Sequence, residues 1–190
     1  IVSHSGLPST LCARTRTLET MKHPTPWLHC RTDSPLGSLR LARTAQGLCG
    51  LWFEQDQRHA PDPARFAPEQ HRPQDPLLRE AAQRIDAYFC GQQPNFALPL
   101  DLSGGTPFQQ EVWRALLTIP AGQTRSYQEL AIALGQPSAA RAVGTAVGRN
   151  PLSIIVPCHR VLGSQGQLTG YAGGLWRKQA LLQGESPSPP

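Results

Sequence analysis

Paired cysteines are missing from this 190-residue chain. Its five (Cys12, Cys30, Cys49, Cys90 and Cys158) include no CxxC spacing and make an odd number, so there is neither a disulfide framework nor the ligand spacing of a zinc ribbon. Reduced thiols in a reducing compartment follow, and with them a cytoplasmic protein. No apolar run is long enough to cross a bilayer, so no membrane partner is expected. Lysine is nearly absent, at Lys22 and Lys178 alone, so the net charge of +5, from 18 Lys+Arg against 13 Asp+Glu, is carried by arginine. That basic excess suits a polyanion without requiring one. There is a single methionine, Met21, and no acidic residue before Glu19. Residues 1–25 are therefore read as a disordered or non-native leader, with the native start at Met21.

What remains fits one domain, or two small ones sharing a core. Trp27 to Asp33, Ser38 to Ala45 and Leu48 to Glu54 are short β-like segments, separated by Pro-Leu-Gly and Gln-Gly turns, and predict a three-stranded antiparallel meander. Gln55 to Asp75 lacks periodicity and reads as an exposed loop. Pro76 to Cys90 carries Leu77, Leu78, Ala81, Ala82, Ile85, Tyr88 and Phe89 at helical spacing and stops at Gly91. Asn95 to Leu102 predicts another extended piece, and Ser103-Gly104-Gly105 marks a boundary. The expected division is a sheet subdomain over 26–102, a second subdomain over 106–185 and a flexible tail over 186–190.

Helix signals dominate the second half. Thr106-Pro107 supplies an N-cap and a proline at the first helical position, with Phe108, Val112, Leu116 and Ile119 on one apolar side as far as Pro120. Ser126-Tyr127-Gln128-Glu129 is a capping box opening a second helix that ends at Gly135. A third runs from about Ser138 to Gly148. Two short helices joined by Gly-Gln-Pro form a helix-turn-helix candidate, with an ordinary helical hairpin as the alternative. On the third helix, Ala139, Ala142, Val143 and Ala146 are expected to face the core. Arg141, Gly144, Thr145 and Gly148 fall on the other side. Interior glycine costs a helix about 1 kcal/mol relative to alanine, and two on an exposed face make sense where the backbone approaches another molecule closely.

One cysteine has an unusual setting. Cys158 lies in Ile155-Val156-Pro157-Cys158-His159-Arg160-Val161, after an apolar run and beside an imidazole and a guanidinium, groups that favour thiolate. The alternative is a buried structural thiol at a strand end. Adjacent side chains of an extended segment point to opposite faces, so direct Cys158–His159 contact would need a bend or a bridging water. That weakens an acyl-transfer reading, whereas displacement at a saturated alkyl carbon needs no oxyanion hole.

Taken with its neighbours, this segment resembles the O6-alkylguanine-DNA alkyltransferases (methylated-DNA–protein-cysteine methyltransferases). The similarity is carried by Phe108-Gln109, Val112-Trp113, Ile119-Pro120-Ala121-Gly122, Ser126-Tyr127, Arg141-Ala142-Val143 and Asn150-Pro151. It continues through Pro157 to Val161, Gly170-Tyr171, Gly173-Gly174, Lys178, Leu181-Leu182 and Glu185, and more weakly through Asp33-Ser34-Pro35-Leu36-Gly37. The resemblance implies an α+β fold: a small antiparallel sheet subdomain with one helix, then a helical subdomain holding a helix-turn-helix and the active-site cysteine.

It implies roles as well. Cys158 would accept the alkyl group irreversibly, one per molecule, His159 would act as a base through water, and Glu185 would orient it. Asn150 would brace the turn carrying the active-site strand. Tyr171 and Lys178 would serve the departing guanine oxygen. Backbone at Val161, Ala172 and Gly173 would form the base pocket; Ala172 stands where relatives often carry serine, which removes the basis for a side-chain contact there. Tyr127, Arg141, Gly144 and Arg160 would meet DNA, Tyr127 pressing on a phosphate and Arg141 filling the space of a flipped base. The partner would be double-stranded DNA with alkylated bases, entered from the minor groove by a monomer, with no cofactor and no metal. Three rivals predict different behaviour. They are an alkylated-base sensor, which would lack the acceptor cysteine, a helix-turn-helix regulator and a cysteine hydrolase.

Overall fold

A computed structural model describes residues 27–92 and 96–186; the expected leader and most of the tail lie outside them. Strands β1 (Leu28–Thr32), β2 (Leu39–Arg43) and β3 (Leu48–Phe53) form the expected antiparallel meander. Its tight second turn depends on Gly47, where a Cβ would lie 2.5 Å from the Pro99 carbonyl oxygen. Helix α1 (Pro76–Phe89) packs on β1 and β2 through Leu78, Ala81 and Ile85. Asp75 caps it, accepting from the backbone of Leu77 and Leu78.

The described part of the expected extended piece, residues 96–102, does not become a strand. Among the described residues it meets the sheet at Leu48 alone, where Leu48 N–H donates to Pro99 and Asp101 N–H returns to Leu48. Proline 99 has no N–H to continue a ladder.

Helices α2 (Pro107–Leu116), α3 (Tyr127–Ala133) and α4 (Ala140–Gly148) pack together, α4 against both others. The expected capping box of Ser126 with Glu129 forms, and Thr106 makes a second one with Gln109. Helix α2 ends at Leu116, so Ile119 is buried from the following turn. Helix α4 begins two residues later than expected, and its buried positions are Val143, Ala146 and Val147. Ala142 is exposed: one residue from Val143 means about 100° around the helix, away from the core. Between α3 and α4, Gly135 adopts φ +70° and the Gln128 amide donates to Pro137 O at 2.8 Å.

Two contacts position the cysteine segment. Leu51 on β3 exchanges backbone bonds with the Pro151 carbonyl and the Ser153 N–H at 2.8 and 3.0 Å. A two-residue parallel pair, β4 (Arg125–Ser126) with β5 (Val161–Leu162), sets the start of α3 beside the segment's exit. Helix α5 (Leu175–Glu185) closes the fold, and a continuous core runs from Leu41 and Phe53 to Leu152, Ile154 and Leu181.

Candidate active site

The segment before Cys158 is a series of turns rather than a strand. Ile154, buried and β-branched, has φ +69°, a conformation that the surrounding bonds must impose. Asn150 supplies several of them. Its Nδ2 donates to Val156 O at 2.8 Å and Leu152 O at 3.3 Å, while its Oδ1 accepts from Leu152 N at 3.0 Å. The same Nδ2 reaches Cys158 Sγ at 3.0 Å. Residues Cys158–Arg160 then form one 3-10 turn, so the expected alternation of an extended strand does not apply to Cys158 and His159.

Cys158 is buried, and burial pushes its pKa above the ordinary thiol value. The Asn150 hydrogen bond and the Lys178 charge oppose this without overcoming it. The resting group is therefore a thiol, and attack requires removal of its proton. His159 is fully buried, with Nε2 at 2.8 Å from Glu185 Oε1 and Nδ1 without a partner among the described residues. Burial lowers its pKa, with Arg160 and Lys178 adding to this and Glu185 opposing, which leaves the imidazole neutral near pH 7. Burial alone would raise the Glu185 pKa, but bonds from His159 and Arg160 prevail and hold it at about 2. An ionised carboxylate at Nε2 assigns the ring proton to that nitrogen, leaving Nδ1 with a lone pair.

Arg160 corrects an expectation. It was expected at the DNA, yet it is turned inward: Nε and Nη2 each donate to Glu185 at 2.8 Å, and Nη1 donates to the Ile119 carbonyl. A buried guanidinium with its fork filled by a carboxylate and a carbonyl has no free face for phosphate.

Lys178 is also fully buried. Its Nζ donates to the carbonyls of Val161, Thr169 and Gly170, which takes all three of its donors. Burial depresses its pKa to about 8, against the attraction of Cys158. It thus bridges β5 and the loop before Tyr171, and any effect on a guanine oxygen would act through its charge. Tyr171 is buried with no hydrogen-bond partner of good geometry for its hydroxyl among the described residues, and burial raises its pKa well above the phenol value. The Ala172 carbonyl accepts from Arg58 N at 2.8 Å and the Val161 carbonyl from Lys178, so each keeps one lone pair. At Gly173 a Cβ would meet Phe53 and Tyr171 at 2.9 Å, so the glycine lets three elements converge.

Tyr127, at the start of α3, donates to Thr169 O at 3.2 Å, and its ring faces Gly144 on α4. Burial, with Cys158 contributing, raises its pKa while the Thr169 bond opposes. It stands between the exposed face of α4 and the thiol. Arg141 extends from that face, exposed and without an ion pair among the described residues.

Two residues were not anticipated. Arg177 is buried, donating to Leu36 O, Gln55 O and Gly173 O and stacking over Phe53. Tyr88 on α1 donates to Glu185 Oε1 at 2.9 Å. Among the described residues no cluster of three or more His, Cys, Asp or Glu could hold a metal, and no helix is long and apolar enough to cross a membrane.

The 6-O-methylguanine DNA methyltransferase DNA-binding domain matches residues 107–187, and the ribonuclease-like domain of the same family matches 29–102. A methylated-DNA–protein-cysteine methyltransferase of Mycobacterium leprae is 52% identical over 157 residues, 82% of this chain and 91% of that protein. The crystal structure of Mycobacterium tuberculosis O6-methylguanine methyltransferase superposes with TM-score 0.72 at 47% identity, covering 86% and 96% of the two chains. Mycobacterium tuberculosis OGT in complex with DNA gives 0.70 at 45% identity, covering 84% and 95%.

Proposed function

Since the chain belongs to the 6-O-methylguanine DNA methyltransferase family, we propose that Cys158 is its alkyl acceptor in the direct reversal of O6-alkylguanine damage in DNA. The protein is a methylated-DNA–protein-cysteine methyltransferase. The observation that carries the assignment of Cys158 is its pairing with Asn150 at 3.0 Å, next to a neutral His159 held by Glu185.

The reaction divides among these groups. The Cys158 proton passes through water to His159 Nδ1, and Glu185 stabilises the imidazolium that forms. The Asn150 N–H supports the sulfur as charge develops. Sulfur attacks the alkyl carbon in line, the C–S bond forms as the carbon–oxygen bond breaks, and the guanine oxygen leaves with the electron pair. Tyr171 supplies a proton or hydrogen bond there, with the positive charge of Lys178 behind the loop. The thioether offers no easy hydrolytic route, so each molecule acts once, without a cofactor.

A thiol buried this deeply meets a stacked base only if the nucleotide leaves the duplex. Arg141 enters the vacated space, Tyr127 presses on the neighbouring phosphate, and Gly144 lets α4 lie close against the minor groove. The protein works as a monomer in the cytoplasm. Titrating a duplex that contains O6-methylguanine tests the assignment: repair stops at one base per protein molecule, and continued repair beyond that ratio would reject it.

A further inference from the structure

The carboxylate that holds His159 is shared with a residue from the other half of the chain. Glu185 Oε1 faces His159 Nε2 at 2.8 Å, Arg160 Nη2 at 2.8 Å and Tyr88 Oη at 2.9 Å, while Oε2 faces Arg160 Nε at 2.8 Å. A carboxylate oxygen has about two lone-pair sites, so three donors on one oxygen divide its acceptor strength. The Tyr88 bond is long for a hydroxyl on a carboxylate, which is usually about 2.5–2.7 Å, as expected for a shared oxygen.

Tyr88 sits in the last turn of α1, where it and Phe89 face Ala180, Leu181 and Gly184 of α5. Its ring packs against Phe89 and Phe96. Phenylalanine would serve that packing equally well; the hydroxyl, aimed at a buried carboxylate, is what packing leaves unexplained. Burial and the neighbouring Glu185 charge raise the Tyr88 pKa, so it remains a donor throughout the working range.

We propose that Tyr88 is a positioning residue for alkyl transfer: by sharing Glu185 Oε1 it sets how firmly the carboxylate grips His159, and it couples the sheet-side helix α1 to the base. The inference rests on the reading of His159 as that base. The charged and titratable groups around the imidazole are Glu185 and Lys178 from α5, its chain neighbours Cys158 and Arg160, and Tyr88 beyond the carboxylate. Removing the phenol hydroxyl returns acceptor strength to the His159 bond and favours the protonated ring.

The test compares full-length wild type with Tyr88→Phe by two measurements. NMR follows the His159 ring titration directly, and rapid quench follows methyl transfer from an O6-methylguanine duplex between about pH 5 and 9. Tyr88→Phe is expected to move the His159 titration upward by roughly half a unit or more, and the acid limb of the rate profile upward with it. Phe89→Leu, which loosens the same aromatic cluster but leaves the hydroxyl, lowers stability without moving the titration. An unmoved His159 titration in Tyr88→Phe overturns the proposal, whatever happens to stability. If wild type shows no acid limb at all, the base reading of His159 falls, while the NMR shift still decides the role of Tyr88.

Discussion

Asn150 holds Cys158 by the sulfur, with Nδ2 at 3.0 Å from Sγ, and the same nitrogen fastens Val156 O at 2.8 Å in the turn that delivers the cysteine. One amide thus carries both the architecture of the site and part of its chemistry.

Replacing it should therefore affect stability and rate together. Asn150→Ala leaves the Leu152 N–H buried without its acceptor and takes from the Val156 carbonyl one of its two donors, the other being the Cys158 N–H. The expected loss is roughly 2–4 kcal/mol in denaturant unfolding, with slower methyl transfer in the protein that remains folded. Unchanged stability would show that the turn does not depend on this side chain.

Glu185 makes acid stability a readout of the site. Its folded-state pKa, about 2, lies below the ordinary value of 4.5. Its contribution is complete above about pH 4.5 and is lost as the pH falls through about 2. Glu185→Gln should flatten the fall in unfolding free energy across that window. It should also cost about 3 kcal/mol at pH 7, because Arg160 is left buried with an uncompensated charge. Parallel pH profiles for the two proteins would contradict the ion pair.

Arg141 separates base extrusion from chemistry. Arg141→Ala should leave folding within about 0.5 kcal/mol, since the side chain is exposed. Extrusion costs a few kcal/mol, and losing about 1.4 kcal/mol of its compensation slows transfer from duplex roughly tenfold. Transfer from a free O6-alkylguanine base should stay within about twofold, because no extrusion is needed. An equal loss on both substrates would place Arg141 in the pocket instead.

Gly144 tests the close approach of α4. An added Cβ would meet the Tyr127 ring at 3.5 and 3.7 Å, ordinary contact. Gly144→Ala should accordingly stabilise the free protein by roughly 0.5–1 kcal/mol while weakening duplex binding in a mobility or anisotropy titration. Unweakened binding would remove α4 from the DNA interface.

These sites differ in how readily the sequence reveals them. The meander and helices α1 to α4 follow from period and from two caps, because Thr106 and Ser126 act within a few residues of themselves. The β4–β5 pair is two residues long on each side, too short for any period. The roles of Arg160 and Lys178 came from the resemblance; their burial depends on Glu185, Ile119 and Thr169, partners that only the tertiary fold brings to them. Tyr88 shows the same limit. Its spacing correctly places it on the packed face of α1, but a hydroxyl meeting a carboxylate 97 residues away leaves no local pattern.

The most direct test of the central claim is the intact mass of the protein after incubation with a duplex carrying one O6-methylguanine. The account predicts a gain of one methyl group, mapped to the peptide containing Cys158 and absent in Cys158→Ala. Tight binding to the lesion with no change in mass, in fully reduced protein, would contradict alkyl transfer and leave a sensor of damaged bases.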